Sequence, residues 1–121
     1  MQQMKKIIFK SSGAVTAAAT ATTSWVDVGS FNEGYFWLDV TAFAARVDET
    51  LDVTIERFAE NTAGYTTIAT FTQVATTGAK TEEELVTASL GGKIRARYIT
   101  GGTWSSKTMT FSITGHVKRT G

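Results

Sequence analysis

The stretch LDVTIERFAENTAGYTTIATF, residues 51–71, decides the fold because it carries two strand-like segments joined by a polar tip. In the first segment, Leu51, Val53 and Ile55 alternate with polar residues, which is the period of two that a half-buried strand requires. The tip at residues 61–64 holds Asn, Thr, Ala and Gly, and none of these attacks a substrate, transfers a proton or holds a metal tightly. The stretch therefore predicts a β-hairpin whose tip carries no catalytic group.

The same alternation recurs on both sides of this hairpin. Strand-like segments lie at residues 34–44, 84–92, 92–100 and 108–119, and a small-residue stretch at 14–29 is typical of one or two thin strands. The chain has 22 threonines, 11 glycines and no proline, and Thr suits a pleated surface while Gly suits tight turns. We predict an all-β fold, an antiparallel β-sandwich of about eight strands with a jelly-roll-like arrangement.

Alternation also predicts the core. The expected inward-facing residues are Phe36, Leu38, Val40, Leu51, Val53, Ile55, Ile68, Phe71, Ile94, Tyr98, Phe111 and Ile113. Ala42 continues the inward phase of its strand. Because Ile68 and Phe71 are three residues apart, strict alternation cannot bury both, and we expect a β-bulge near residues 69–70. The acidic segment KTEEEL, residues 80–85, leaves two options open, a helical turn capped by Thr81 or no helix at all.

Length and charge indicate one domain without a global electrostatic preference. For 121 residues we expect residues 1–12 to form an N-terminal arm or first strand and residues 13–121 to form a single β-sandwich domain. A net charge of +1 gives no field toward nucleic acid or a membrane, and no apolar run approaches the roughly 18 residues that a membrane helix needs. The absence of Cys excludes disulfides and thiolate metal sites.

The basic start of the chain has only part of a secretory signal. Two lysines precede the apolar run at residues 7–9, but Lys10 ends that run after three residues, where about 7–15 are needed. We therefore expect no cleaved signal peptide.

Catalytic and metal chemistry find little support in the residues. His116 is the single histidine and lies on the outward phase of its strand, whereas a catalytic triad or a histidine metal site needs further partners. Asp39, Asp52 and Glu56 are candidates for a carboxylate pair, but outward carboxylates on an antiparallel sheet normally pair with Arg or Lys. We expect no enzymatic activity, no metal and no cofactor.

Lys93, Arg95 and Arg97 share one face of their strand and form a basic ladder. The ladder has two interpretations, a contact to phosphate or an acidic partner, or cross-strand pairing with Asp52 and Glu56. No aromatic residue alternates with the basic residues on their own face of this strand, as a platform for single-stranded nucleic acid would require. We favour pairing within the sheet and expect no nucleic-acid partner.

Aromatic residues are the remaining candidates for a site. Tyr35 and Trp37 fall on the phase opposite Phe36, and Trp104 follows the Gly turn at residues 101–102. Aromatic side chains on a sandwich can cap the ends of the core, anchor a protein interface or stack on sugars. All three interpretations remain open.

The pattern of residues 34–118 resembles small β-sandwich virion structural proteins of tailed bacteriophages, of the head decoration, neck or tail type. The motifs that carry the resemblance are LDVTIERFAENTAGYTTIATFTQVATTGAKTEEEL and GGKIRARYITGGTWSSKTMTFSITGHVK. They share with those proteins a strand that ends in an acidic residue, a polar tip, an IATFTQV segment before a Gly turn, a Gly-flanked IRARY strand and a final TFSI strand. The chain departs from the pattern in its AENTAG tip and its acidic TEEEL insert.

The resemblance implies a non-enzymatic virion protein, made in the host cytoplasm without a signal peptide. The first expectation is a capsid decoration protein that stabilises the capsid as a multi-copy assembly module. A neck or tail component and a carbohydrate-binding, adhesin-like module are the alternatives. The expected partners are further copies of the chain, as a trimer or ring, and other virion proteins such as the major capsid protein, with no membrane; a glycan is expected only for the adhesin-like alternative.

Contact residues of such an assembly are expected at the N-terminus and on the exposed aromatic edge. The apolar run at residues 7–9 has no obvious partner in a sandwich that is complete without it, and such an arm can add a strand to a neighbour's sheet. The residues expected at an oligomer or virion interface are Ile7, Ile8, Phe9, Tyr35, Trp37 and Trp104.

Overall fold

The computed structural model describes residues 3–44, 46–59, 64–87, 89–105 and 107–119, and of residue 3 only the backbone. These residues form nine strands and no helix, so this part of the chain contains no helix that could cross a membrane. The strands are β1 (Gln3–Val15), β2 (Ala19–Thr22), β3 (Val26–Asp27), β4 (Glu33–Phe43), β5 (Thr50–Ala59), β6 (Gly64–Thr70), β7 (Lys80–Val86), β8 (Lys93–Gly101) and β9 (Met109–Arg119). The predicted hairpin tip, apart from Gly64, lies outside the described residues.

Two antiparallel sheets make up the fold. Sheet A has the strand order β1-β9-β4-β7, and sheet B has the order β2-β8-β5-β6, with β3 also paired to β8. Because β2 and β3 pair with successive parts of β8, they count as one interrupted strand. Counted in this way, the eight strands have the orders 1-8-3-6 and 2-7-4-5, which are those of a jelly roll. The predicted β-sandwich is therefore confirmed.

The core lies between the two sheets and follows the predicted alternation closely. Ten of the twelve residues expected inside are buried, while Ile68 and Tyr98 are partly buried and pack against the core. The ring of Tyr98 meets Phe111 edge to face at a centroid distance of 5.3 Å. The core therefore joins β8 of sheet B to β9 of sheet A.

A bulge in β4 overturns the expectation for Ala42. The pairing of β4 with β9 shifts register between Val40 and Ala42, so the alternation changes phase at this point. As a result Ala42 is exposed, and Phe43 is buried in its place.

A second bulge lies close to the predicted position in β6. Ile55 pairs with Ala69, but its neighbour Glu56 pairs with Thr67, which leaves Ile68 as the extra residue. The bulge therefore stands at residue 68 rather than at 69–70. It lets Ala69 enter the core directly after a residue that stays partly exposed.

The acidic segment at residues 80–85 is a strand, so the option of a capped helical turn was wrong. β7 pairs with β4 over its whole length, from Lys80 opposite Val40 to Val86 opposite Gly34. The hydroxyl of Thr81 donates to Asp39 Oδ1 at 2.9 Å instead of capping a helix. The backbone N–H and C=O groups of this segment thus find their partners in a sheet.

β1 corrects the expectation that residues 7–9 lack partners within the sandwich. β1 pairs with β9 from Gln3 to Val15, and Ile7 and Phe9 are buried in the core. Phe9 lies beside Phe36, with ring centroids 6.0 Å apart. Gly115 makes room for both rings, because a Cβ there would lie 2.7 Å from Phe36 and 3.3 Å from Phe9. Two of the three residues in this run are therefore core residues.

Candidate interaction surfaces

Sheet A has one face on the core and an opposite outer face, which we call face A. Along β4, Tyr35, Trp37 and Asp39 point outward, and the residues between them are buried. The register of the sheet places outward side chains of β1, β9 and β7 beside them. Face A consists of Met4, Lys6, Ile8, Glu33, Tyr35, Trp37, Asp39, Thr81, Glu83, Leu85, Ser112, Thr114, His116 and Lys118.

An aromatic pair occupies the middle of face A. The rings of Tyr35 and Trp37 stack with centroids 6.3 Å apart and an interplanar angle of 17°. Both side chains are half-buried, and the ammonium of Lys118 lies 5.2 Å from the centre of the Tyr35 ring. The pair is thus held in one arrangement while much of its apolar surface faces outward.

Exposed aliphatic side chains surround this pair. Met4 is 55% exposed, Ile8 57% and Leu85 52%. Of the six large hydrophobic side chains that are exposed in the described residues, these three lie on face A. Single exposed apolar residues are ordinary, but three of them on the same face as a stacked aromatic pair are typical of a contact surface.

Charges on face A are divided between its two halves. Lys6 and Lys118 lie on β1 and β9, whereas Asp39 and Glu83 lie on β4 and β7. Glu33 of β4 reaches Lys118 with an Oε1 to Nζ distance of 3.8 Å. One half of the face is therefore basic and the other acidic.

The predicted interface residues separate into three groups. Ile8, Tyr35 and Trp37 come together on face A, where Thr114 of β9 lies between Ile8 and Trp37. Ile7 and Phe9 are in the core. Trp104 lies at the end of the sandwich where β8 leads into β9.

Trp104 covers that end of the core. Its ring stacks on Phe43 at a centroid distance of 6.3 Å, and its Nε1 donates to the backbone oxygen of Gly101 at 2.9 Å. These contacts favour edge packing over an interface role for this residue.

Two carboxylates tie the neighbouring loops together at the same end. Asp48 Oδ1 accepts from the backbone N–H of Thr103 at 2.9 Å, and buried Glu49 Oε2 accepts from the backbone N–H groups of Val47 and Asp48 at 2.8 Å each. Both residues line a surface pocket of about 290 Å³ together with Lys107 and others. Within the described residues, Glu49 Oε1 has no hydrogen-bond partner.

These hydrogen bonds lower the pKa of both carboxyls. The backbone N–H of Thr103 lowers the pKa of Asp48 more than burial raises it. Burial raises the pKa of Glu49. The backbone N–H groups of Val47, Glu49 and Asp48 and the charge of Lys107 together lower this pKa by more than burial raises it, so that the net shift is downward. A carboxyl whose pKa falls on folding stabilises the folded protein at pH values above the pKa of the unfolded chain, which is about 4. This stabilisation is lost as the pH falls through the lowered pKa of the folded protein.

The outer face of sheet B carries an arginine–aromatic cluster, formed by Trp25, Glu56, Phe58, Tyr65, Arg95 and Arg97. The guanidinium carbon of Arg95 lies 4.3 Å from the ring centre of Trp25 and 5.3 Å from that of Tyr65. Arg95 Nε donates to Glu56 Oε1 at 2.9 Å, and Arg97 Nη1 donates to the hydroxyl of Tyr65 at 3.1 Å. The positive charge of Arg95 is therefore paired and stacked within the chain.

This cluster confirms one predicted pairing and corrects two other expectations. Arg95 pairs across the strands with Glu56, as expected, but Glu56 is 1% exposed rather than solvated. Asp52 accepts hydrogen bonds from Gln73 instead of meeting the basic ladder. The aromatic members of the cluster could not be predicted from β8 alone, because none of them lies on that strand. Tyr65 comes from β6, on the far side of β5, and only the strand order brings it over β8.

The described residues contain no group of three or more His, Cys, Asp or Glu that could hold a metal ion. His116 lies on β9 between Lys6 and Tyr35 in the sheet register. The contacts described on these surfaces are stacking, hydrogen bonding and ion pairing, with exposed apolar side chains beside them.

No protein-family model and no curated protein matches the sequence. Solved structures do match, and they include particles of infectious bursal disease virus. A structure of the Gt strain has a TM-score of 0.66 at 9% identity, covering 98% of this chain and 33% of that chain. The PBSX exported protein XepA has a TM-score of 0.58 at 19% identity, covering 97% of this chain and 37% of that chain.

A carbohydrate-binding module, CBM4, is also similar, with a TM-score of 0.51 at 13% identity over 76% of this chain and 56% of that chain. The chain spans about a third of the length of the viral structures that it matches. At these identities the likeness shows the fold, a β-sandwich that viral capsid proteins also use.

Proposed function

We propose that this chain is a non-enzymatic structural protein of a virion and acts as a capsid decoration module present in many copies. The observation that carries the proposal is the likeness of almost the whole chain to part of a virus particle protein, over 98% of its residues. A phage protein, XepA, shares the fold as well. The resemblance of the sequence motifs to small virion proteins of tailed bacteriophages points in the same direction.

The architecture suits such a role. A module that acts by its position needs a rigid core and a surface for neighbours, and face A provides apolar and charged groups for contact. In this proposal β1 makes residues 3–12 part of the same domain as residues 13–121 rather than a free arm. The protein is made in the host cytoplasm and joins the major capsid protein in the virion.

Labelling of purified virions tests this proposal. Gold-labelled antibodies against the protein should decorate the heads in many copies, and mass spectrometry of the same particles should give its copy number. Label confined to the neck or tail would keep the structural role but contradict capsid decoration. A protein that is made in infected cells but is absent from purified virions would overturn the proposal.

A second candidate function, carbohydrate binding, is favoured by one observation. On the outer face of sheet B, the partly exposed ring of Tyr65 lies beside Arg97, and the hydrogen-bonding groups of Asp52 and Gln73 share that face. Aromatic rings beside such polar groups can hold sugars. Glycan-array binding that Tyr65→Ala removes would support this function, and an array without any binding would reject it.

A further inference from the structure

Face A is the surface of the described residues that combines exposed apolar area with divided charge. We propose that two copies of this chain pack through face A about a two-fold axis that runs parallel to the strands. This inference deepens the proposed multi-copy function by naming the contact surface and its symmetry. The occupant of face A is thus a second copy of the same chain.

The apolar centre of face A supplies the reason for association. Its stacked pair, Tyr35 and Trp37, is flanked by Ile8 on the β1 side and by Leu85 on the β7 side. Aromatic anchors surrounded by aliphatic side chains are the usual centre of a protein interface. Packing this centre against itself removes apolar surface from water on both copies at once.

The register fixes how two copies would meet. One row across face A contains Lys6, His116, Tyr35 and Leu85, and the next contains Ile8, Thr114, Trp37 and Glu83. A two-fold axis parallel to the strands, between β9 and β4, places the β1 side of one copy over the β7 side of the other. Lys6 then faces Leu85 and Glu83, and Lys118 faces Glu33.

Charge complementarity selects this axis over the alternative. An axis perpendicular to the strands would place β1 over β1 and β7 over β7, which brings Lys6 near Lys6 and Glu83 near Glu83. Like charges that face each other across an interface are unfavourable, whereas opposite charges fix the register. The divided charge of face A therefore favours the parallel axis.

The size of face A is sufficient for a specific dimer. Its strands β1, β9, β4 and β7 have 13, 11, 11 and 7 residues, and with about 4.8 Å between strands and about 3.3 Å per residue they span an area on the order of 650 Å². A standard interface buries about 800 Å² on each partner when side chains are included. Two sandwiches that meet through sheet faces also keep the usual separation of packed sheets.

Two copies could also associate by pairing their edge strands through backbone hydrogen bonds. The edge of β1 is poorly suited to such pairing. Its pairing with β9 shifts register between Ile8 and Lys10 and again between Lys10 and Gly13. Lys10 Nζ donates to the backbone oxygens of Phe111 at 2.9 Å and Gly13 at 3.2 Å, so its side chain fills the irregular stretch between β1 and β9. Bulges of this kind bend an edge strand and hinder its pairing with another sheet.

Sedimentation velocity of the full chain across a wide range of concentrations tests the proposal. The wild type should sediment as a dimer, and Trp37→Ser should weaken the dimer by at least about tenfold, because aromatic residues at an interface centre carry much of its affinity. Ile99→Thr, which removes an exposed apolar side chain from sheet B, is the matched control and should leave the dimer unchanged. Circular dichroism confirms that each variant is folded.

Charge reversal tests the axis. Lys6→Glu and Glu83→Lys should each weaken the dimer, and the double variant should restore it, because the two charges again attract across the interface. A wild-type monomer at all concentrations, a Trp37→Ser dimer of unchanged affinity, or a double variant that is as weak as the single ones would overturn the proposal. A monomer that still labels virions overturns only this contact, whereas a dimer that is absent from virions overturns only the virion role.

Discussion

The two outer faces of this sandwich use their aromatic residues in opposite ways. On sheet B, Trp25 and Tyr65 hold the guanidinium of Arg95 between them, and Glu56 pairs with that charge from below. On face A, Tyr35 and Trp37 stack on each other and are surrounded by exposed aliphatic side chains. The cluster on sheet B has its main interactions inside the chain, while the apolar surface of face A remains available to a partner.

Exposure of an aromatic side chain therefore does not by itself identify an interface residue. Tyr65 is among the exposed large hydrophobic side chains, yet its ring and hydroxyl already contact two arginines. Trp37 is half-buried, yet it stacks on Tyr35 and shares its face with the exposed side chains of Ile8 and Leu85. What distinguishes the two rings is their contacts, since Tyr65 meets two arginines of its own chain whereas Trp37 stacks on another aromatic ring.

The largest expected effect compares Phe9 with its neighbour Ile8, which lie on opposite faces of β1. Phe9→Ala should lower the free energy of unfolding by about 3–5 kcal/mol, since it leaves a cavity beside Phe36. Ile8→Ala should change it by less than about 1 kcal/mol, because Ile8 is exposed on face A. Urea unfolding of both variants measures the difference, and equal losses would contradict the assignment of the two faces.

Alternation predicted most of the core because its period is a property of the strand itself. It failed at Ala42, where a bulge inserts a residue and changes the phase, and it placed the second bulge at residues 69–70 instead of at Ile68. The exact position of a bulge depends on how two strands pair, which the sequence of one strand does not fix. The strand at residues 80–85 was missed for the same reason, because its glutamates are stabilised by pairing with β4 rather than by a strong intrinsic strand preference.

The candidate site was predictable only in part. Tyr35 and Trp37 were predicted from the phase of their strand and Ile8 from the apolar run at residues 7–9, and both signals are local. Leu85 and Met4 escaped notice because they join the same surface only through the strand order β1-β9-β4-β7. The arginine–aromatic cluster escaped for the same reason, since it combines residues from β5, β6, β8 and the chain before β3.

A comparison of two inter-strand ion pairs, one on each face, sharpens the contrast. Glu56→Ala should lower the free energy of unfolding by about 2–4 kcal/mol, because it leaves the guanidinium of Arg95, only 19% exposed, without its carboxylate. Glu33→Ala removes a longer and more exposed pair with Lys118 and should cost less than about 1 kcal/mol. Thermal or urea unfolding distinguishes them, and a Glu56 variant as stable as the Glu33 variant would show that the cluster contributes little.

The smallest effect is expected at Arg97, whose side chain lies at the exposed end of the cluster. Arg97→Gln removes the hydrogen bond to the hydroxyl of Tyr65 at 3.1 Å but leaves Arg95 paired with Glu56. The free energy of unfolding should therefore change by less than about 0.5 kcal/mol. Incorporation into virions and the dimer through face A should both stay as in the wild type, as sedimentation and antibody labelling would measure. If the folded Arg97→Gln protein were lost from virions, the basic ladder of Lys93, Arg95 and Arg97 would itself be a contact surface. The outer face of sheet B would then bind a partner in addition to making its contacts within the chain.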